Sequence, residues 1–127
     1  MSDEEGAIYQ NIISGMELRQ VDENGDYKRD LWTGKYLLKS EDDINKEIKD
    51  ITNLVEKSFE ELGQENIDIA FKSPESYDTL EEMQKARQQL MDALISIFGA
   101  DGVIDDTEAQ VIIGLGFEVK DNTIEDP

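Results

Sequence analysis

The sequence predicts a helix-dominated α+β fold in one compact domain: two long amphipathic helices with a β-hairpin and one or two short strands. Three observations carry that expectation. Apolar residues recur at three- or four-residue spacing over 41–62 and again over 78–98. An Asn-Gly pair lies between two extended runs ahead of the first of these helices, a strong local signal for a hairpin turn. A chain of 127 residues is sized for a single hydrophobic core, since two domains would each be too small to bury one.

Taken in order, Ile8, Ile12, Ile13 and Met16 predict an N-terminal helix over 4–15. Glu17 to Val21 and Tyr27 to Trp32 flank Asp22-Glu23-Asn24-Gly25, which predicts a hairpin over 16–38. Ser40 with Asp43 forms a capping start for the helix 41–62. Its stripe is Ile44, Ile48, Ile51, Val55, Phe59 and Leu62, Gly63 closes it, and it spans about 33 Å at ~1.5 Å per residue. Ile67, Ile69 and Phe71 alternate with Asp68 and Ala70 up to Pro74, the pattern of a short strand over 66–72. The helix 78–98 carries Leu80, Met83, Arg87, Leu90, Met91, Leu94, Ile95 and Phe98 on one side. Asp78, Glu81 and Glu82 sit near its start, where the helix dipole favours negative charge. Asp105, Thr107 and Glu108 open a short helix over 106–113, stopped by Gly114 and Gly116. An edge strand at 117–119 and an acidic tail over 120–127 complete the chain.

Charge narrows the partners. Thirty-one acidic residues stand against twelve basic ones, a formal charge of −19, and this repels nucleic acid and anionic membrane while attracting cationic surfaces. The region 16–40 differs: it holds five residues of each sign together with Tyr27, Trp32 and Tyr36. Histidine and cysteine are absent, which excludes imidazole- and thiolate-based catalysis and metal sites. No Gly-Lys-Ser/Thr phosphate loop occurs, and Gly114-Leu115-Gly116 lacks the third glycine of a dinucleotide turn. No enzyme and no cofactor are expected. The acidic opening residues are unlike a signal peptide, and no apolar run approaches the ~20 residues of a membrane span. The expected setting is the cytoplasm or a particle assembled there.

Two stretches carry calcium-like spacing. Asp101-Gly102-Val103-Ile104-Asp105-Asp106-Thr107-Glu108 resembles the second half of an EF-hand loop, with Asp101, Asp105 and Glu108 as the oxygen donors. The first half fails, because its ligand positions fall on Ile97 and Gly99. The run Ala100-Asp101-Gly102-Val103-Ile104-Asp105 is also similar to one in the tellurite-resistance TerB-like helical domains. That local likeness implies a connector between two helices with Asp105 as N-cap. Asp22-Glu23-Asn24-Gly25-Asp26 has the oxygen spacing that opens a calcium loop, but Thr33 occupies the position of the closing glutamate. The expectation is a capped turn at the first stretch and a hairpin turn at the second, both without a metal.

Two binding roles remain. The first is an acidic, non-catalytic module that docks on a basic protein partner, in its sharpest form imitating nucleic acid to inhibit a DNA- or RNA-binding protein. Its face would be Asp42, Asp43, Glu47, Asp50, Glu56, Glu60 and Glu61. Small acidic phage and plasmid inhibitors resemble this chain in composition. The second is a structural or chaperone-like assembly subunit of a multi-protein particle such as a phage virion. It would work as a homo- or hetero-oligomer, with Tyr27, Trp32 and Tyr36 as the interface.

Overall fold

The computed structural model describes residues 2–99 and 102–127 and is a helix-dominated α+β domain. Five helices, α1 (Asp3–Ser14), α2 (Glu41–Leu62), α3 (Gln64–Phe71), α4 (Leu80–Phe98) and α5 (Asp106–Gly114), precede a two-stranded antiparallel sheet. Its strands are β1 (Glu118–Lys120) and β2 (Thr123–Glu125). Side-chain caps start four of these helices. Ser2, Ser40, Thr79 and Asp105 each accept from a backbone N–H three residues on, satisfying a donor that the first helical turn leaves unpaired.

The core lies where one stripe from each helix meets. Ile8 and Ile12 of α1, Ile51, Val55, Phe59 and Leu62 of α2, and Leu90, Leu94 and Phe98 of α4 close around Val111, Ile112, Leu115, Phe117 and Ile124. Helix α1 packs on α2 and α5, while α3 packs on α4. Leu80 and Ile95, expected on the inner stripe of α4, are 65 % and 43 % exposed, because the stripe narrows to the i, i+4, i+8 row of Leu90, Leu94 and Phe98.

The structure corrects three expectations. The segment 66–72 is not a strand; it lies in helix α3 but for Lys72, which follows it. Gly63, at φ +79°, turns the chain directly out of α2, and Ile67, Ala70 and Phe71 also satisfy helical spacing. Ile67 is thereby buried, and Gln64 bonds Asp68 along the same helix face. The segment 120–127 is not a tail. Asp121 and Asn122, both at positive φ, make a tight two-residue turn into β2, which buries Ile124. Arg87 of α4 then anchors the terminus by an ion pair with Asp126, a bond to the Gly116 carbonyl and a stack 4.5 Å from the Phe117 ring centre.

The third correction concerns 16–38. It is not one hairpin but a three-armed module held by single antiparallel bridges, Arg19 with Leu38, Val21 with Tyr27 and Arg29 with Tyr36. The Gln20 N–H donates to the Leu37 carbonyl, Leu37 N–H to Lys28, and Lys28 N–H back to Gln20, a closed cycle at 2.8–3.0 Å. Two of the arms are turns built alike. Asp22 and Asp30 open them by accepting backbone N–H groups, and Gly25 and Gly34 supply the positive φ that each turn requires. The third arm joins the module to α1 and α2.

Candidate functional site

Almost nothing in the three-armed module is buried, so its side chains hold it from outside. Glu17 accepts from Arg19 Nε at 2.8 Å, from Arg19 Nη2 at 3.0 Å and from the Tyr27 hydroxyl at 2.9 Å. The Arg19 guanidinium lies 3.9 Å from the Tyr27 ring centre, Arg29 lies 4.5 Å from that of Tyr36, and the two rings meet edge to face at 5.5 Å. The hydrogen bonds from the Arg19 side chain and then its backbone N–H, with that from Tyr27, hold the Glu17 carboxyl down at about 2. The same bond to Glu17 raises the Tyr27 hydroxyl.

The three aromatics grouped in the sequence therefore separate. Tyr27 and Tyr36 are the module's internal stack, whereas Trp32 stands at the tip of the second arm. Leu31 is 100 % and Trp32 97 % exposed. The tip is nonetheless set in place: the Asp30 carboxylate accepts from the N–H of Trp32 at 2.8 Å and of Thr33 at 3.1 Å, bonds that also lower its pKa. Asp30 N–H donates to the Lys35 carbonyl and Gly34 N–H to the Asp30 carbonyl. Lys28, Arg29 and Lys35, all exposed, flank this apolar pair and make the arm locally positive.

At the root of the module lies a cleft of about 790 Å³ between α1, α2 and the start of α5. Its floor is apolar, from Ile12, Met16, Ile51 and Leu54. Its rim is acidic, from Glu17, Glu47, Asp50, Asp105 and Asp106. Lys39 is the single basic residue among the lining and pairs with Glu47 at 2.8 Å. Asp50 and Asp106 have no ion-pair partner among the described residues. An apolar floor beside carboxylates that have no ion-pair partner among the described residues suits a ligand with an apolar stem and a cationic head.

The acidic face expected on α2 is divided. Asp42, Asp43, Asp50, Glu56, Glu60 and Glu61 are exposed, but Lys46, Lys49 and Lys57 interleave with them. Glu61 pairs with Lys57, Glu47 turns to Lys39, and Asp50 joins the cleft. Of the calcium candidates, Asp101 lies outside the described residues. Asp105 and Glu108 form a reciprocal capping box at the start of α5: Asp105 Oδ1 accepts from the Glu108 N–H, and Glu108 Oε1 from the Asp105 N–H. Among the described residues no group of three or more acidic side chains converges as a cation site. No helix among them is long and apolar enough to cross a membrane.

Sequence reasoning missed Leu31 and the cleft floor. The adjacency of Leu31 to Trp32 was a local signal; the floor had none, because it forms only where Ile12 and Met16, at and just past the end of α1, meet Ile51 and Leu54 of α2. No protein-family model matches the chain, and neither a curated protein nor a solved structure matches it.

Proposed function

We propose that this chain is a non-catalytic, acidic protein-binding module whose cleft receives a basic, partly apolar element of a protein partner. The observation that carries the reading is the pairing of an apolar floor (Ile12, Met16, Ile51, Leu54) with the unneutralised Asp50 and Asp106 on the rim. A lysine or arginine side chain meets both requirements, laying its methylene stem on the floor and its charge against the carboxylates. The lysines interleaved on α2 break the line of charge that imitation of nucleic acid requires, so the reading centres on the cleft and not on the outer face of α2.

The test is titration of a short peptide of lysines and tryptophan into the full chain. Asp50→Asn with Asp106→Asn weakens binding by about tenfold, while Glu56→Gln with Glu60→Gln and Glu61→Gln leaves it within about twofold. The opposite ranking returns the binding surface to the outer face of α2 and overturns the cleft. The structural-subunit reading is favoured by a different observation, the fully exposed Leu31–Trp32 tip, which contributes nothing to the core of its own chain.

A further inference from the structure

The tip and the cleft are complementary to each other. We infer that the Leu31–Trp32 tip of one molecule seats in the acid-rimmed cleft of a second copy, so that the chain associates head to tail. The inference rests on the reading of the cleft as a receptor for a basic, apolar element, and it names that element.

Charge and polarity match on both sides. The tip offers a leucine and an indole with Lys28, Arg29 and Lys35 around them; the cleft offers an aliphatic floor with Asp50 and Asp106 on its rim. At about 790 Å³ the cleft lies within the ~300–1,000 Å³ of pockets that enclose drug-sized groups. The tip is pre-organised, because Asp30 already fixes the backbone of Trp32 and Thr33, so docking orders little new chain. A fully exposed tryptophan gains more from burial than any other side chain on this surface.

The two surfaces are different patches of one molecule, which makes the contact heterologous. Such contacts continue from copy to copy until they close into a ring or extend as a filament. The charge of −19 opposes this at long range. At about 0.15 M salt, counter-ions screen charge–charge repulsion beyond ~8 Å, so the local match governs the encounter while the rest of each acidic body is largely hidden from the other.

The experiment is sedimentation equilibrium of the full chain at about 0.15 M NaCl, with parallel fluorescence of Trp32, the sole tryptophan. The wild type gains mass with concentration, and the Trp32 emission shifts to the blue as the indole leaves water. A tip variant, Leu31→Ser with Trp32→Ser, and a rim variant, Asp50→Lys with Asp106→Lys, each lose self-association by at least about tenfold. Mixed, they form a one-to-one dimer that grows no further, since only one intact tip and one intact cleft remain. A wild type that stays at 14.4 kDa at every concentration, or a tip variant that associates as the wild type does, overturns the inference. Binding of the lysine–tryptophan peptide to the tip variant separates the two ideas. If the peptide binds while the wild type stays a monomer, the cleft keeps its role and loses this occupant; if it does not bind, the cleft reading itself fails.

Discussion

Glu17 and Arg19, two residues apart, are joined three times: Arg19 Nε donates to Oε1 at 2.8 Å, Nη2 to Oε2 at 3.0 Å, and the Arg19 backbone N–H to Oε1 at 2.9 Å. This pair organises the exposed three-armed module, because the same guanidinium stacks on Tyr27 and the same carboxylate accepts from the Tyr27 hydroxyl. The Glu17 pKa is depressed from 4.5 to about 2. A depressed carboxyl adds stability that is complete above its unfolded pKa and is lost as pH falls through the folded value. The amide resonances of Gln20, Lys28 and Leu37 therefore hold their positions above about pH 4.5 and move between there and about pH 2. In Glu17→Gln the module is loosened at neutral pH, and that transition is missing.

Trp32 and Leu94 contrast burial with exposure. Leu94 is completely buried in the core, so Leu94→Ala costs about 2–5 kcal/mol in urea unfolding. Trp32→Ala changes stability by no more than about 0.5 kcal/mol, since the indole touches solvent almost everywhere. A loss comparable to that of Leu94→Ala would place Trp32 in the core and remove it from the surface available to a partner.

Arg87 fastens the C-terminal strand pair to α4. Replacing it with Ala removes the ion pair to Asp126, the bond to the Gly116 carbonyl and the stack on Phe117. The expected cost is about 1.5–3 kcal/mol, read from the urea midpoint, with faster amide exchange in β1 and β2. Asp126→Asn keeps the carbonyl bond and the stack, so its cost is smaller than that of Arg87→Ala.

Asp105 caps α5, and its N–H is held in turn by Glu108. Asp105→Ala lowers stability by about 0.5–2 kcal/mol. The same loss is expected in calcium and in chelator, because the cap binds backbone rather than an ion. A loss seen only with calcium would assign the loop to the metal.

How legible each element was in the sequence follows from where its forces act. Helix α2 was readable to the residue, because the Ser40 cap, the stripe ending at Leu62 and the Gly63 turn are all local features. Helix α3 was misread because Ile67, Ile69 and Phe71 fit a strand, and only the packing of this segment on α4 decides for a helix. β2 was hidden because Ile124 stands alone between polar neighbours, and Arg87, which anchors the end of the chain beyond it, lies 39 residues from Asp126. At the site, the neutral aromatic region was visible as a difference in composition, but not the division of labour between its rings. The cleft joins residues from the ends of α1 and α5 and the middle of α2, and no local pattern announces that meeting.

On the reading proposed above, the cleft, and not the outer face of α2, receives a basic partner. Amide chemical-shift mapping of the full chain during titration with the lysine–tryptophan peptide separates the two surfaces. Saturable shifts are expected at Met16, Asp50, Leu54 and Thr107, with Asp42, Glu56 and Glu60 unmoved. Shifts confined to those three outer acids, or none at any position, would contradict that reading.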